Sequence, residues 1–494
     1  SPGAARGAIV FSAAEAERSG ANGEDVILVR QFTSAEDVGG FDAARGILTS
    51  RGGKSSHAAI VARGMGRPCV CGAAELEIDE EAGTLRVGEH ELRAGDVIAL
   101  DGTTGVVTTD EVELISAAPS VEFTTVLGWA DEIRRLGVRA NADTGEDATN
   151  ARELGAEGIG LCRTEHMFLA PDRLPVVRKM ILADTPEEEA DAFAELGRVQ
   201  QIDFEEILEA MDGLPVTVRL LDPPLHEFLP SAEELRIKQA GVGLTAQETK
   251  ELKAAEEWAE HNPMIGTRGV RLGVLKPGLY AMQVKALMAA AASLRQKGKN
   301  PIVEVMIPLT VTREEMALAR GWVQTEIDAA VKGLKKKGQG GSAGGVTVTI
   351  GTMIETPRAA IRADEIAEEA DFFSFGTNDL TQMAFGFSRD DIESKMMPAY
   401  LEQGLLKRNP FETIDAGGVG ELVKMGVERG RTTKPKLKIG VCGEHGGDPE
   451  SIALFYGAGL DYVSCSPFRV PIARLAAAQA IIASASGAKK AETK

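Results

Sequence analysis

The sequence predicts an α/β protein in which a small α/β domain precedes a (β/α)8 barrel of the TIM type. Three observations predict it. From Val138 onward, apolar strands alternate with helical segments over ~350 residues, the rhythm of a parallel barrel. Between Gly7 and about Val107, five short apolar strands are separated by turns. Within that region, Gly52-Gly53-Lys54-Ser55-Ser56-His57-Ala58-Ala59-Ile60-Val61-Ala62-Arg63 sets one histidine at a glycine-rich turn where a helical pattern begins. A chain of 494 residues with 44% hydrophobic content can fill two or three cores. The expected organisation is a domain over 1–110, a linker over 111–136, a barrel over 137–485 and a polar tail over 486–494.

The N-terminal strands are Ala8–Phe11, Val26–Val29, Ile47–Thr49, Pro68–Cys71 and Val97–Leu100. Ser34 reads as a helix N-cap with Glu36 and Asp37 in the first turn, and Ser56 as the cap of the helix near His57. Asp101-Gly102-Thr103-Thr104-Gly105 is a turn between two strands. The linker holds a helical stretch around Trp129–Arg135. Barrel strands are expected at Val138–Ala140, Gly158–Leu161, Val216–Leu220, Ile302–Met306, Val346–Ile350, Phe372–Phe375 and Ile439–Val441. Met264–Gly266 and Asp461–Ser464 are further candidates, one more than a barrel of eight needs, and the sequence leaves open which lies outside. The Gly- and Lys-rich run Lys332–Gly345 reads as a surface loop with solvated lysines.

A formal net charge of −20 disfavours nucleic acid and anionic membrane as partners, so phosphate chemistry must rest on locally gathered arginines. Five cysteines with no C-x-x-C pair suggest reduced thiols and no thiolate zinc site. No uninterrupted apolar run approaches the ~20 residues of a membrane span, and no signal-peptide layout opens the chain. The expectation is an intracellular soluble protein acting on small molecules.

Chemistry concentrates at two places. A helix N-terminus favours a doubly charged anion, glycines admit close backbone approach, and imidazole is a competent nucleophile, so His57 suits a covalently held phosphate. The alternative is that His57 only caps its helix. In a barrel, working residues follow the C-terminal strand ends, and there the chain places Cys162-Arg163-Thr164-Glu165-His166, Arg219 with Asp222, and Arg268 with Arg271. Guanidinium forks match phosphate and carboxylate oxygens; taken singly, each arginine can equally be an ordinary ion pair. Glu355 and Asp379, from separate strand ends, suffice for Mg²⁺, which takes one or two protein carboxylates plus substrate oxygens. Gly376 and Thr377 can present backbone amides to a carboxylate. Cys442, in Val441-Cys442-Gly443-Glu444-His445, is either a buried structural cysteine or a thiol that passes a proton to carbon.

Together, the Gly-Gly-x-Ser-Ser-His loop, Gly160-Leu161-Cys162-Arg163-Thr164-Glu165, Gly376-Thr377-Asn378-Asp379-Leu380 and Cys442-Gly443-Glu444-His445 resemble the phosphoenolpyruvate-utilising enzymes, and within them the pyruvate, phosphate dikinase group. The resemblance runs from about Pro2 to Arg474. It implies that His57 accepts the phosphoryl group, that Arg163 and Arg219 stabilise the transferring phosphoryl and the enolate oxygen with Arg268 nearby, and that Glu355 and Asp379 hold Mg²⁺. Gly376, Thr377 and Asn378 would position the three-carbon acid, and Cys442 would protonate enolpyruvate or deprotonate pyruvate. The group interconverts ATP, pyruvate and phosphate with AMP, phosphoenolpyruvate and diphosphate. Such enzymes carry an N-terminal nucleotide-binding domain, and no G-x-x-x-x-G-K-[ST] loop occurs in this sequence. The expectation is a fragment or one chain of a split system, limited to the phosphoenolpyruvate/pyruvate half-reaction.

Where plant-type members have a regulated threonine, this chain has Ser55; a phosphate there would oppose a second one on His57, or Ser55 is an ordinary loop serine. The resemblance also implies a homodimer through the barrel and a cytoplasmic or plastid location. Rival readings are phosphoenolpyruvate synthase, the sugar-transport phosphotransferase, whose helical docking insert is not seen between Gly7 and Val107, and a catalytically silent barrel that binds a partner.

Overall fold

The computed structural model describes residues 3–33, 38–52, 62, 67–80, 82–88, 90–112, 120–170, 173–336, 346–393 and 396–491. The chain folds into two compact units, Ser1–Val121 and Glu122–Lys494.

The first unit is built on a six-stranded sheet ordered β4-β3-β2-β1-β8-β9. Its members are β1 (Ala4–Val10), β2 (Val26–Arg30), β3 (Gly46–Thr49), β4 (Cys69–Val70), β8 (Val97–Asp101) and β9 (Val106–Thr108). The first four are parallel, while β8 pairs antiparallel with β1 and β9 antiparallel with β8. Alternation along a strand sends successive side chains to opposite faces. Val26 and Leu28 thus pack with Ala16 and Phe41 on the helical face, whereas Ile27 and Val29 pack with Ile78 and Leu85 on the other. Both faces of β2 are covered, which is why it reads as a continuous apolar run. The Asp101–Gly105 turn joins β8 to β9 as expected, with the Asp101 carboxylate accepting from Thr103 N at 2.8 Å and Thr104 Oγ1 at 2.7 Å.

Sequence reading missed a three-stranded antiparallel sheet, β5 (Glu77–Asp79), β6 (Thr84–Val87) and β7 (His90–Arg93). Its strands are three or four residues long and interleave charged with apolar residues, with Ile78 and Leu85 as their buried apolar contributions. Ser34, Glu36, Asp37, Ser55, Ser56 and His57 lie outside the described residues.

The second unit is a closed barrel of eight parallel strands: β10 (Gly137–Asn141), β11 (Ile159–Arg163), β12 (Pro215–Arg219), β13 (Ile302–Ile307), β14 (Thr347–Ile354), β15 (Phe372–Phe375), β16 (Lys438–Val441) and β17 (Tyr462–Cys465). Closure comes from β10 pairing with β17. Of the two surplus candidates, Asp461–Ser464 is the eighth strand. Met264–Gly266 is instead part of a 3-10 turn over Pro263–Ile265, because Pro263 cannot donate to a strand ladder and starts a helical turn readily.

Three other expectations change. The linker helix spans Val121–Ile133 and ends before Arg135. The run expected as a loop from Lys332 is helical to Lys336, closing helix Arg313–Lys336, with 337–345 outside the described residues. The final helix, Val470–Ala491, continues through most of the expected tail, since alanine and lysine favour helix. By length and composition the stretch Pro467–Ala485 resembles a membrane span. However, it packs Val470, Ala473, Ala476 and Ala477 into the barrel core and pairs Arg474 with Asp131, as a covering helix does.

Inside the barrel the side chains are layered. Toward the N-terminal strand ends, buried Glu304 accepts from Arg139 Nη1 at 2.8 Å and Thr217 Oγ1 at 2.8 Å, and pairs with Lys438 Nζ. The Arg139 guanidinium lies 4.1 Å from the centre of the Tyr462 ring. That ring occupies the space of a side chain at Gly440, whose Cβ would fall 2.1 Å from it. Above sits a small apolar layer of Leu161, Met306, Met353, Phe372 and Cys442.

Burial raises the Glu304 pKa, but its two cations outweigh it and hold the carboxyl at about 2. For Lys438 burial wins and the pKa is lowered. Glu304→Ala, which strands both cations, is expected to cost about 3–5 kcal/mol of stability in chemical denaturation. The depressed pKa makes this contribution present above the unfolded value, so the gap between wild type and variant should close as pH falls from about 5 to about 2.

Candidate active site

The C-terminal strand ends gather a buried cluster of charges. Arg219 ends β12, and the chain then turns through Leu220 and Leu221 to Asp222, with Leu221 N donating to Gln283 Oε1 at 2.9 Å and Tyr280 Oη donating to Leu221 O at 3.1 Å. These two clamps come from helix Pro277–Gln296. Asp222, 2% exposed, accepts from Arg219 Nη1 at 2.9 Å and from Arg268 Nε at 3.2 Å. Arg219 also pairs with Glu165, on the short helix Thr164–Phe168. Arg268 donates onward to Asp379 at 3.0 Å.

Arg219 and Arg268 are therefore linked through one carboxylate. Burial lowers their pKa values, but the surrounding acids outweigh it, so both are raised and both remain cations. Among the described residues, Arg219 Nε has no hydrogen-bond partner although it is buried. Arg268 does not follow a fourth strand, as expected from Met264–Gly266, but lies in the connection between β12 and β13. Arg271 turns to the carbonyls of Ile265 and Gly266, at 2.9 and 3.0 Å, and so holds the turn.

Glu355 follows β14 directly and is fully buried. Its Oε1 accepts from Leu309 N at 2.6 Å, while its buried Oε2 lacks a partner among the described residues. Leu309 has φ 57°, the one positive-φ non-glycine among the described residues, a strained conformation for a branched side chain that tends to mark functional sites. A Cβ at Gly376 would lie 2.5 Å from Glu355 Oε2, so only glycine leaves that oxygen its space. Burial, reinforced by Asp379 and Asp222, pushes the Glu355 pKa to about 8. An orphaned carboxylate oxygen beside a second acid suits a hard divalent cation such as Mg²⁺. Among the described residues, no cluster of three or more His, Cys, Asp or Glu is arranged for a metal, so such an ion would rest on this pair.

Arg163 ends β11, where Asp143 accepts from its Nε at 3.0 Å and its backbone N at 2.7 Å, and from His166 Nδ1 at 2.8 Å. Burial raises the Asp143 pKa, but these partners overcome it and hold it at about 2. Cys442, directly after β16, is 2% exposed. Burial pushes its thiol to about 11, with Glu355, Arg219 and Arg163 all close enough to contribute. It is thus a buried cysteine and a protonated one at neutral pH, rather than a thiol on an open loop.

Thr377 starts helix Thr377–Phe385. Its Oγ1 lies 2.8 Å from His445 Nδ1, and His445 Nε2 lies 2.8 Å from the Pro410 carbonyl. A carbonyl only accepts, so Nε2 carries the proton. Burial lowers the His445 pKa, the ring is neutral, and Nδ1 accepts from the threonine hydroxyl. Asn378 Oδ1 accepts from Glu444 N at 3.4 Å.

The structure thus brings Arg219, Arg268, Glu355, Asp379 and Gly376 together, with Cys442 beneath and Thr377 anchored by His445. His57 and Ser55 are outside the described residues. Sequence reading passed over the anchoring roles of Asp222, Asp143, Glu165 and His445; an acid or imidazole that holds another side chain has no spacing signature to mark it.

Fold and site define a (β/α)8 barrel whose mouth gathers arginines and acids, preceded in the chain by a second α/β domain. The second unit matches the PEP-binding domain of PEP-utilising enzymes over residues 118–482, and residues 22–105 match their mobile domain; the chain belongs to this family. It is 52% identical to pyruvate, phosphate dikinase 1, chloroplastic, of Arabidopsis thaliana over 98% of this chain and 49% of the relative. To pyruvate, phosphate dikinase of Clostridium symbiosum it is 51% identical over 98% of this chain and 54% of the relative. For pyruvate, phosphate dikinase 2 of Zea mays the figures are 50%, 98% and 54%. The chain spans about half the length of these relatives.

Between the unfolded carboxyl pKa near ~4.3 and about 8, the folded chain binds a proton at Glu355 that the unfolded chain releases. Stability of the metal-free protein should therefore fall as pH rises from about 5 to about 8. Denaturation curves across that range should show a shallower slope for Glu355→Gln, and an unchanged slope would mean that Glu355 ionises normally.

Proposed function

We propose that the chain interconverts phosphoenolpyruvate and pyruvate at the barrel mouth, with His57 accepting and returning the phosphoryl group. The observation that carries this reading is the pair Arg219 and Arg268 fixed through Asp222 beside the buried Glu355 and the part-buried Asp379, over a thiol held near pKa 11. Phosphoryl transfer needs mainly positioning and charge neutralisation. The enol-to-keto step needs an acid at carbon.

In this reading Arg219, through its unpartnered Nε, and Arg163 bind phosphoryl and enolate oxygens. Arg268 adds positive charge, and Gly376, Thr377 and Asn378 seat the carboxylate. Glu355 and Asp379 would hold Mg²⁺, which when bound adds charge neutralisation at the substrate's oxygens. Cys442 gives its proton to the methylene carbon of enolpyruvate and takes one from the pyruvate methyl in reverse. The proposal covers only the phosphoenolpyruvate/pyruvate half of the dikinase reaction. A homodimer through the barrel and regulation at Ser55 belong to the same proposal, supported by resemblance alone.

The decisive experiment mixes the chain with Mg²⁺ and phosphoenolpyruvate. A stoichiometric burst of pyruvate with acid-labile phosphate on the protein is expected, abolished by His57→Ala and Cys442→Ala. Arg219→Ala should slow it by roughly 10²–10³-fold. No burst from wild type, together with no binding of phosphoenolpyruvate, would refute the reading. Because the thiol stays protonated to about pH 11, exchange of pyruvate methyl hydrogens with solvent should accelerate with pH across the alkaline range, and Cys442→Ala should lose that exchange.

A further inference from the structure

The first unit contains a pair of sulfurs that the chemistry above leaves unused. Cys69 and Cys71 approach to 3.1 Å between Sγ atoms and are not bridged. Residues two apart on an extended chain point to the same side. Both thiols accordingly join the helical-face cluster, whereas Val70 between them packs on the opposite face. Cys69 is 2% exposed and held in β4, while Cys71 is half-buried beyond the end of that strand. Gly72 follows with φ 73°. A disulfide bond is ~2.05 Å long, so closure asks for about an ångström of movement, which Cys71 at the strand end can make.

The pair is bracketed by both ends of the segment that carries His57. On one side, Ala73 N donates to Thr49 O at 3.0 Å, and a Cβ at Gly72 would fall 2.2 Å from the Gly52 carbonyl oxygen. On the other, Ala62 is buried in the same apolar cluster as both thiols, and Arg67 N donates to Ala62 O at 2.7 Å. A shift of Gly72 therefore presses on Gly52, and both thiols share their cluster with Ala62; these are the described residues flanking 53–61.

We propose that Cys69 and Cys71 form a redox site that a peroxide converts to a disulfide, altering the presentation of the His57 segment. The half-buried Cys71 sulfur, as thiolate, attacks the peroxide oxygen, giving a sulfenic acid and, from hydrogen peroxide, water. Cys69 sulfur then attacks the Cys71 sulfur; the S–S bond forms and the sulfenic oxygen leaves as a second water. Two electrons pass from the thiols to the peroxide. A dithiol reductant reverses the change by exchange.

The test treats the full chain with hydrogen peroxide, quenches it in denaturant with an alkylating agent, and maps the peptides. Expected is the loss of alkylation at Cys69 and Cys71 together, a peptide lighter by two hydrogens, and reversal by dithiothreitol. Cys69→Ser should leave Cys71 as a sulfenic acid trapped by dimedone, which separates pairing from general oxidation. Wild type in which Cys71 passes to the sulfinic acid, or in which both sites stay alkylatable, overturns the site.

The effect on His57 rests on the function proposed above and is read separately, as phosphoenolpyruvate-dependent phosphate incorporation into wild type and Cys71→Ser after the same peroxide treatment, with mapping of Cys442 in both. Incorporation lost in wild type and kept in Cys71→Ser supports the coupling, and equal incorporation overturns it. Absence of incorporation in the untreated chain counts against the proposed function instead.

Discussion

The Asp222 carboxylate is the interaction on which the site depends. Arg219 is buried, Arg268 is part-buried and both are cationic; without a shared anion they would repel each other in a poorly solvated space. Asp222 is itself fixed by its backbone: Gly269 N donates to Asp222 O at 2.7 Å, and Gln283 and Tyr280 clamp the neighbouring Leu221. The two guanidiniums are thus oriented before any ligand arrives, so little reorganisation remains to oppose charge development. The burden of this arrangement falls on the fold, through a long core helix that also holds this turn of chain.

Environment, rather than residue type, sets each acid. Asp143 and Glu304 are buried with cations against them and stay ionised. Glu355 is equally buried but faces Asp379 and Asp222, so the proton is retained near neutrality. The barrel therefore keeps permanently charged carboxylates where they secure structure and one undecided carboxylate where a cation would change its state.

Most of the barrel was legible because its strands are buried on both faces and appear as apolar runs, from Val216-Thr217-Val218 to Phe372–Phe375. The ambiguity over the eighth strand reflects length: Met264-Ile265-Gly266 and Tyr462-Val463-Ser464 are alike as triplets, and only the proline before the first and the pairing of the second with both neighbours separate them. The small sheet β5–β7 was invisible because it covers the main sheet with only scattered apolar residues, Ile78, Leu85 and Leu92, and shows charge to solvent. At the site, residues that end strands were found from position alone. Those that hold them were not, since Asp222 and His445 act through distances that no linear spacing encodes. The Cys-Val-Cys pair was passed over for a related reason: it does not match a helical C-x-x-C, and its significance lies in the extended backbone that turns both sulfurs the same way.

The tautomer of His445 has a consequence for what Thr377 can recognise. With Nε2 committed to the Pro410 carbonyl and Nδ1 taking the hydroxyl hydrogen, Thr377 Oγ1 has only lone pairs left to offer. Toward an anion, that side chain is electrostatically the wrong way round, and the attractive hydrogens at this point are the amides of the first helical turn. Anion selectivity here would then be a property of main-chain direction, tolerant of the side chain's identity so long as the helix begins in the same place. Gly443, where a Cβ would intrude to 2.1 Å from Thr377 Oγ1, keeps that starting point where it is.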